Sequence, residues 1–423
     1  MIGLADCNNF FVSCERSVNP ALEGKAVVVL SNNDGCVVAR SNESKRMGVR
    51  MGQPAFEIRH LVESGQLIAL SGNHLLYRDI SLRVHDIFRR YVPATIDYSV
   101  DEAFLHVDGI PVDVLEGIGN EIYRSCWEEM HIPVTVGFAP TKTLAKVSTE
   151  LCKKSGRKVG VMIEKAEIDA ALASLPVSEL WGVGRRLAKR LYQSGVYTIA
   201  DFARAGRAWV RKTFGVTGER SWFEVNGQPC IELSHIGRTL QDSISESRTF
   251  PDDVLDYDYI RARIVIYASD CAGKLRAMKG LCGAVGVFLR SNPFHPERGV
   301  YRPEGCLALP FPTSDTSLIV EAALAVLDGI FIPGVPFKRA GVWMTDILAD
   351  VPATPSLFEA TVGDTPVVRR FMKTIDRINN EVGHSHIALA SQIVKGHQGH
   401  NDGYSSSFQA PRRENKEIPK KRR

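Results

Sequence analysis

The alternation of apolar and polar positions changes character several times along the chain. Ile2-Gly3-Leu4-Ala5 is a short apolar run that stops at Asp6, the pattern of a buried strand delivering a carboxylate at its end. Residues 26–30 and 36–39 are apolar runs flanking Ser31-Asn32-Asn33-Asp34-Gly35, which predicts a hairpin. Ser41 reads as the N-cap of a short helix that Gly48 ends. Ile96, Tyr98 and Val100 keep a period of two, as do Ala103, Leu105 and Val107, but the phase slips by one across Asp101-Glu102. Two strands meeting at an acidic turn or bulge explain the slip. Val134, Val136 and Phe138 alternate as another strand that Pro140 ends, and residues 141–154 read as a helix with Leu144, Val147 and Leu151 on one face.

Between residues 176 and 225 strand-like runs vanish, and helices are punctuated by Gly182, Gly184, Gly195 and Gly206, so this stretch reads as a separate helical module. Strand-like runs return over 243–348, with helical stretches near 254–278 and 318–331, which predicts an α+β domain. Beyond Asp350 proline, serine and glycine accumulate, and residues 396–423 read as a flexible basic tail. No internal repeat is apparent.

A length of 423 residues calls for three or four domains, at roughly 100–200 residues each. Hydrophobic residues at 44% and charged residues at 24% suggest neither a membrane protein nor bulk disorder. The net charge of +4 is uninformative, because residues 411–423 alone carry seven Lys/Arg against two Glu and the remainder sums to −1. Local clusters matter more: residues 181–222 hold nine Lys/Arg against two acidic residues, and residues 261–300 hold seven against two. The nine cysteines are odd in number and form no Cys-x-x-Cys pair, which argues against a zinc site and a disulfide framework. With no run of 18 apolar residues and no leader pattern, a cytoplasmic protein with reduced thiols is expected.

The candidate chemistry is acidic. If the strand ending at Asp6 neighbours the two that meet at Asp101-Glu102, three carboxylates converge, a costly arrangement without a cation. Magnesium takes a few carboxylates plus phosphate oxygens and water, so three acidic residues suffice for phosphoryl transfer. Taken singly, each residue is equally compatible with a strand-end cap or a turn.

The ordered segments Asp6-Cys7-Asn8-Asn9-Phe10-Phe11, Tyr98-Ser99-Val100-Asp101-Glu102-Ala103-Phe104, Thr141-Lys142-Thr143-Leu144-Ala145-Lys146 and Leu180-Trp181-Gly182-Val183-Gly184 resemble the signature of Y-family DNA polymerases. The stretch Leu30-Ser31-Asn32-Asn33-Asp34-Gly35-Cys36-Val37-Val38-Ala39-Arg40 is similar to the UmuC branch, the catalytic subunit of DNA polymerase V and its plasmid-borne relatives. The resemblance covers residues 1–350 well and the tail poorly. It implies a multidomain α+β and α architecture: a palm with a mixed sheet over 1–165, small fingers inserted at about 12–75, a helix-hairpin-helix thumb over 166–235, an α+β little finger over 240–350, and a C-terminal extension with a flexible basic tail over 351–423.

The resemblance also implies roles. Asp6, Asp101 and Glu102 hold two Mg2+ ions, with the Cys7 backbone carbonyl as a further ligand; Asn8 stands where the wider family often has a second acidic residue. Phe11 matches the steric gate against ribose, with Phe10 beside it, and Lys45 and Lys153 match positions that hold the incoming nucleotide. Asn42 replaces a tyrosine common three residues before the first of these lysines. Gly182, Gly184, Arg185 and Arg186 match the DNA-backbone contacts of the thumb. Leu357 and Phe358 within Thr354-Pro355-Ser356-Leu357-Phe358 resemble a sliding-clamp motif without its leading glutamine. The implied activity is error-prone translesion synthesis across damaged DNA in the SOS response. Primer-template DNA and dNTPs are the substrates, and a processed UmuD-type dimer, a RecA filament and a sliding clamp are the partners. Two other readings remain open at this stage: a metal-dependent nuclease built on the same carboxylates, and a non-catalytic DNA-binding scaffold, which a missing carboxylate would signal.

Overall fold

The computed structural model describes residues 1–31, 35–232, 240–350, 366–382 and 387. They fall into two compact units, one within residues 1–236 and one within 237–400. Among the described residues no helix is long and apolar enough to cross a membrane.

The first unit opens with β1 (Ile2–Cys7), α1 (Phe10–Val18), β2 (Val27–Leu30), β3 (Val37–Arg40), α2 (Asn42–Arg46), α3 (Arg59–Glu63), β4 (Ile68–Ser71) and α4 (His74–Phe88). It continues through β5 (Ala94–Asp97), β6 (Glu102–His106), α5 (Val112–Met130), β7 (Val134–Ala139), α6 (Lys142–Ser155) and β8 (Val159–Val161). Four helices follow: α7 (Lys165–Ser174), α8 (Arg185–Gln193), α9 (Ile199–Arg204) and α10 (Arg207–Val225), the last broken at Gly215.

The main sheet runs β5-β6-β1-β7-β8, and β1 is antiparallel to both of its neighbours. Every β1 residue is buried, because both faces of the sheet are covered. Ala5 and Cys7 face one core together with Leu105, Val136 and residues of α5, while Ile2 and Leu4 face another with Phe104 and with Leu144 and Val147 of α6. The period of two thus sends Asp6, in phase with Ile2 and Leu4, to the α6 face. Gly137 on β7 lets α6 lie close, since a Cβ there would sit 2.5 Å from the Thr149 amide. The N-terminus of α6 is satisfied by the Thr141 side chain, which accepts from the Leu144 amide, and by the buried Glu224 of α10, which accepts from the Thr143 amide at 3.0 Å. That carboxylate fixes the helical module to the main sheet.

A second, smaller sheet, β3-β2-β4, holds the predicted hairpin strands as an antiparallel pair; the turn residues 32–34 lie outside the described residues. Ser41 caps α2 by accepting from the Ser44 amide, as its sequence position foretells.

The second unit is a four-stranded antiparallel sheet ordered β11-β10-β12-β9, built from β9 (Ile244–Val254), β10 (Gly280–Ser291), β11 (Glu304–Thr313) and β12 (Phe337–Ala349). α11 (Tyr257–Ala277) and α12 (Thr316–Ile330) pack on it through Ile264, Ala268, Ile319 and Ala323. The extension after Asp350, for which the sequence analysis names no element, contains a helix, α13 (Pro366–Val382), while the basic tail over 396–423 lies outside the described residues. The helix docks through buried Met372 and through Asp376, which accepts two 2.7 Å bonds from Arg276 of α11.

Candidate active site

The register of β1 and β6 sets Asp6 directly opposite Glu102, and the Cys7 amide donates to the Asp101 carbonyl at 2.9 Å. Asp6 is 8% exposed, with Glu102 its directly opposed neighbour on β6. Each carries a lysine from α6: Lys153 Nζ lies 2.6 Å from Asp6, and Lys146 Nζ lies 2.7 Å from Glu102. Burial pushes the Asp6 carboxyl up to about 7, with Lys153 opposing and Glu102 adding to the rise. Burial pushes Glu102 the same way, but the charge and hydrogen bond of Lys146 outweigh it and leave Glu102 below the usual range.

Asp101 behaves differently. Ser99 accepts from the Asp101 and Glu102 amides, closing the turn where the sequence slips phase, and its hydroxyl donates to Asp101 Oδ1 at 2.6 Å. The structure therefore unites Asp6 and Glu102 and turns the Asp101 side chain to Ser99; among the described residues no three acidic, histidine or cysteine side chains already form a metal cluster. The donor chemistry nonetheless fits a hard divalent cation: two carboxylates on directly opposed strand positions, a third one residue away, and no imidazole among them. Burial raises the Cys7 thiol well above its usual range, so this residue offers only its backbone oxygen.

Around this corner, Phe11 stacks on Tyr77 with ring centroids 4.4 Å apart, and Tyr77 is held by its hydroxyl donating to Glu15 at 2.9 Å. Phe10 is buried in the core beneath. Lys45 donates to Asn9 Oδ1 at 2.6 Å, and Asn9, in the left-handed region at φ 51°, donates in turn to Asn42 at 3.0 Å. Lys146 lies over the Tyr98 ring at 4.6 Å and the Trp181 ring at 5.4 Å, and the Trp181 indole donates to the Tyr98 hydroxyl at 3.0 Å. Sequence reasoning had no signal for the Tyr77 contact or the Lys146 pairing, because each joins separate segments, and hydrophobic periodicity does not report the short Ser99–Asp101 bond inside the turn.

In the helical module, Gly182 has φ 87°, which a side chain would strain, and Gly184 is the N-cap of α8 with no side-chain cap. Arg185 and Arg186 follow, both exposed. Leu357 and Phe358 lie outside the described residues.

The model described as the impB/mucB/samB family matches residues 5–150, that of its C-terminal domain matches residues 241–357, and the IMS family HHH motif matches residues 165–196. Protein UmuC of Salmonella typhimurium is 35% identical over 396 residues, 93% of each chain, and Protein ImpB of Salmonella typhimurium is 36% identical over 384 residues, 90% of each chain. A solved Y-family DNA polymerase chimera superposes with a TM-score of 0.66 at 21% identity, covering 82% of this chain and 100% of its own, which supports the fold. On these matches, spanning nearly the whole length, the chain belongs to the impB/mucB/samB family, the UmuC branch of the Y-family DNA polymerases.

Proposed function

We propose that the chain is a template-directed, error-prone DNA polymerase that carries out translesion synthesis across damaged DNA in the SOS response. The observation that carries this reading is the pairing of buried Asp6 with half-buried Glu102 on adjacent strands of the main sheet, in a chain of this family. In this reading Asp6, Asp101, Glu102 and the Cys7 carbonyl hold two magnesium ions, which neutralise phosphate charge and lower the pKa of the attacking hydroxyl. Residues 1–165 form the palm with fingers inserted at about 12–75, residues 166–235 the thumb and residues 240–350 the little finger.

The protein's own groups divide the remaining work. The primer 3′-hydroxyl attacks the α-phosphate of the incoming dNTP and pyrophosphate leaves. Lys153, now bonded to Asp6, and Lys45 supply positive charge to the triphosphate. Lys146 neutralises Glu102 and keeps its carboxylate oriented on the α6 face. Phe11 excludes a 2′-hydroxyl, and support for that role is its stacking on Tyr77, which leaves the ring little freedom to yield. Gly182, Gly184, Arg185 and Arg186 contact the DNA backbone. A processed UmuD-type dimer, a RecA filament and a sliding clamp taking Leu357 and Phe358 are the proposed partners.

Magnesium-dependent primer extension across an abasic template, with and without those partners, tests the reading. Phe11→Ala is expected to admit ribonucleotides while extension continues. Nucleolytic loss of primer with no extension, or a Phe11→Ala enzyme that still refuses ribonucleotides, refutes it.

A further inference from the structure

Lys146, which pairs with Glu102, is held from a second side, and one of the residues holding it has no role so far. Its side chain is 18% exposed, and its ammonium lies over three rings: Tyr98 at 4.6 Å, Trp181 at 5.4 Å and Phe104 at 5.9 Å from the centroids. The rings brace one another. Trp181 meets Tyr98 edge to face at 5.5 Å and tilts against the fully buried Phe104 at 5.9 Å. Its indole N–H donates to the Tyr98 hydroxyl at 3.0 Å, which fixes the orientation of the ring.

The origin of the rings sets Trp181 apart. Phe104 lies on β6, and Tyr98 follows β5 with its amide donating to the Glu102 carbonyl at 3.0 Å, so both belong to the sheet that carries the carboxylates. Trp181 arrives from the helical module and directly precedes Gly182. A lysine that merely covered these rings would lay its stem on them and send its head to water. Here the head sits between the ring faces and Glu102 Oε2, 2.7 Å away. Ring faces attract an ammonium, more strongly where water is kept out, and a partner that orients a carboxylate governs how well that carboxylate meets a cation.

We propose that Trp181 is a positioning residue for the metal site: its ring, seated by Tyr98, keeps the Lys146 ammonium against Glu102 and so sets the carboxylate that the cation meets. This assignment rests on the polymerase reading of the site and adds to it a contribution from the helical module that is independent of DNA contact.

The test compares wild type, Trp181→Leu, Trp181→Phe, Lys146→Ala and the double variant Lys146→Ala, Trp181→Leu. Two readouts carry it: the Mg2+ half-saturation of single-nucleotide incorporation, and Mn2+ binding to the protein–primer-template complex without dNTP, followed by the EPR signal of free Mn2+. DNA affinity, the dNTP KM at saturating metal and the thermal midpoint are measured alongside. Trp181→Leu keeps an apolar side chain but removes the ring face, and should raise both metal constants roughly tenfold, with DNA affinity and dNTP KM as in wild type. Trp181→Phe, which restores a ring, should return them to within about threefold of wild type. Lys146→Ala should shift them at least as far as Trp181→Leu, and the double variant no further than Lys146→Ala alone, since both changes break one link. Shifts that multiply in the double variant overturn the assignment, because Trp181 then acts without Lys146. A lowered midpoint or weakened DNA binding with both metal constants unchanged in Trp181→Leu also overturns it, marking the ring as packing or as support for the hairpin. Lys146→Ala removes no core side chain, so unchanged metal constants there overturn it even if Trp181→Leu fails to fold. A wild-type protein that binds Mn2+ but does not extend primers defeats the polymerase reading instead.

Discussion

Residues 181–222 and 261–300 carry similar excesses of basic over acidic side chains, yet the two stretches use them differently. In residues 181–222 three of the nine basic residues, Arg204, Arg207 and Arg211, are bonded to Asp201 or Glu219, while Arg185, Arg186, Lys189 and Lys212 are exposed and have no carboxylate partner among the described residues. In residues 261–300 four of the seven are bonded: Lys274 to Glu246, Arg276 to Asp376, Arg290 to Glu304 and Arg298 to Asp253. A cation already paired has less to gain from a phosphate, because the new contact must replace an existing one. Counting charges along a sequence treats both stretches alike; pairing leaves a larger share of the first stretch's cations without a carboxylate among the described residues. The main sheet follows the same logic with signs reversed: Asp6 is buried and Glu102 half-buried, and each is paired with a lysine, so removing either partner leaves an unbalanced charge.

Six substitutions, grouped in four tests, would break or sharpen this contrast. Asp6→Asn or Glu102→Gln should lower incorporation by more than about 100-fold, beyond the loss typical of groups that only support metal ligands, with DNA affinity retained in an anisotropy titration. Asp376→Ala strands Arg276 in its half-buried site and should destabilise the second unit by about 2 kcal/mol in urea, without weakening DNA binding. The double change Arg185→Ala, Arg186→Ala should do the reverse: stability is kept within about 0.5 kcal/mol, while affinity falls about tenfold and the slope of log K against log salt shrinks by about 1 per lost phosphate contact. Arg298→Ala should change neither quantity by more than about 0.5 kcal/mol, since the arginine is exposed and Lys338 also lies by Asp253; a loss of DNA affinity there as large as that for Arg185 and Arg186 would erase the distinction.

Much of the fold was legible because its signals are local. The buried run ending at Asp6, the phase slip at Asp101-Glu102, the Ser41 cap and the helix following Pro140 each depend on residues a few positions apart, and each reappears in the structure. The candidate site was legible only in part. Lys146 meets Glu102 across 44 residues, and Asp101 turns to Ser99 because a short hydroxyl side chain outcompetes its acidic neighbours within the turn. Periodicity reports neither. The helix at Pro366–Val382 was missed for another reason: its surroundings are rich in proline, serine and glycine, and composition was weighed over the spacing of Phe371, Met372, Ile375 and Ile378. The signal was present in the chain.

The most direct test is a crystal structure of the protein with primer-template DNA, a non-hydrolysable dNTP and Mn2+, read by anomalous scattering. The account predicts two metal peaks bounded by Asp6, Asp101 and Glu102, with Asp101 turned away from Ser99 and Lys153 released from Asp6 toward phosphate. Carboxylates still bonded to Lys146 and Lys153, with no metal peak between them, would contradict it.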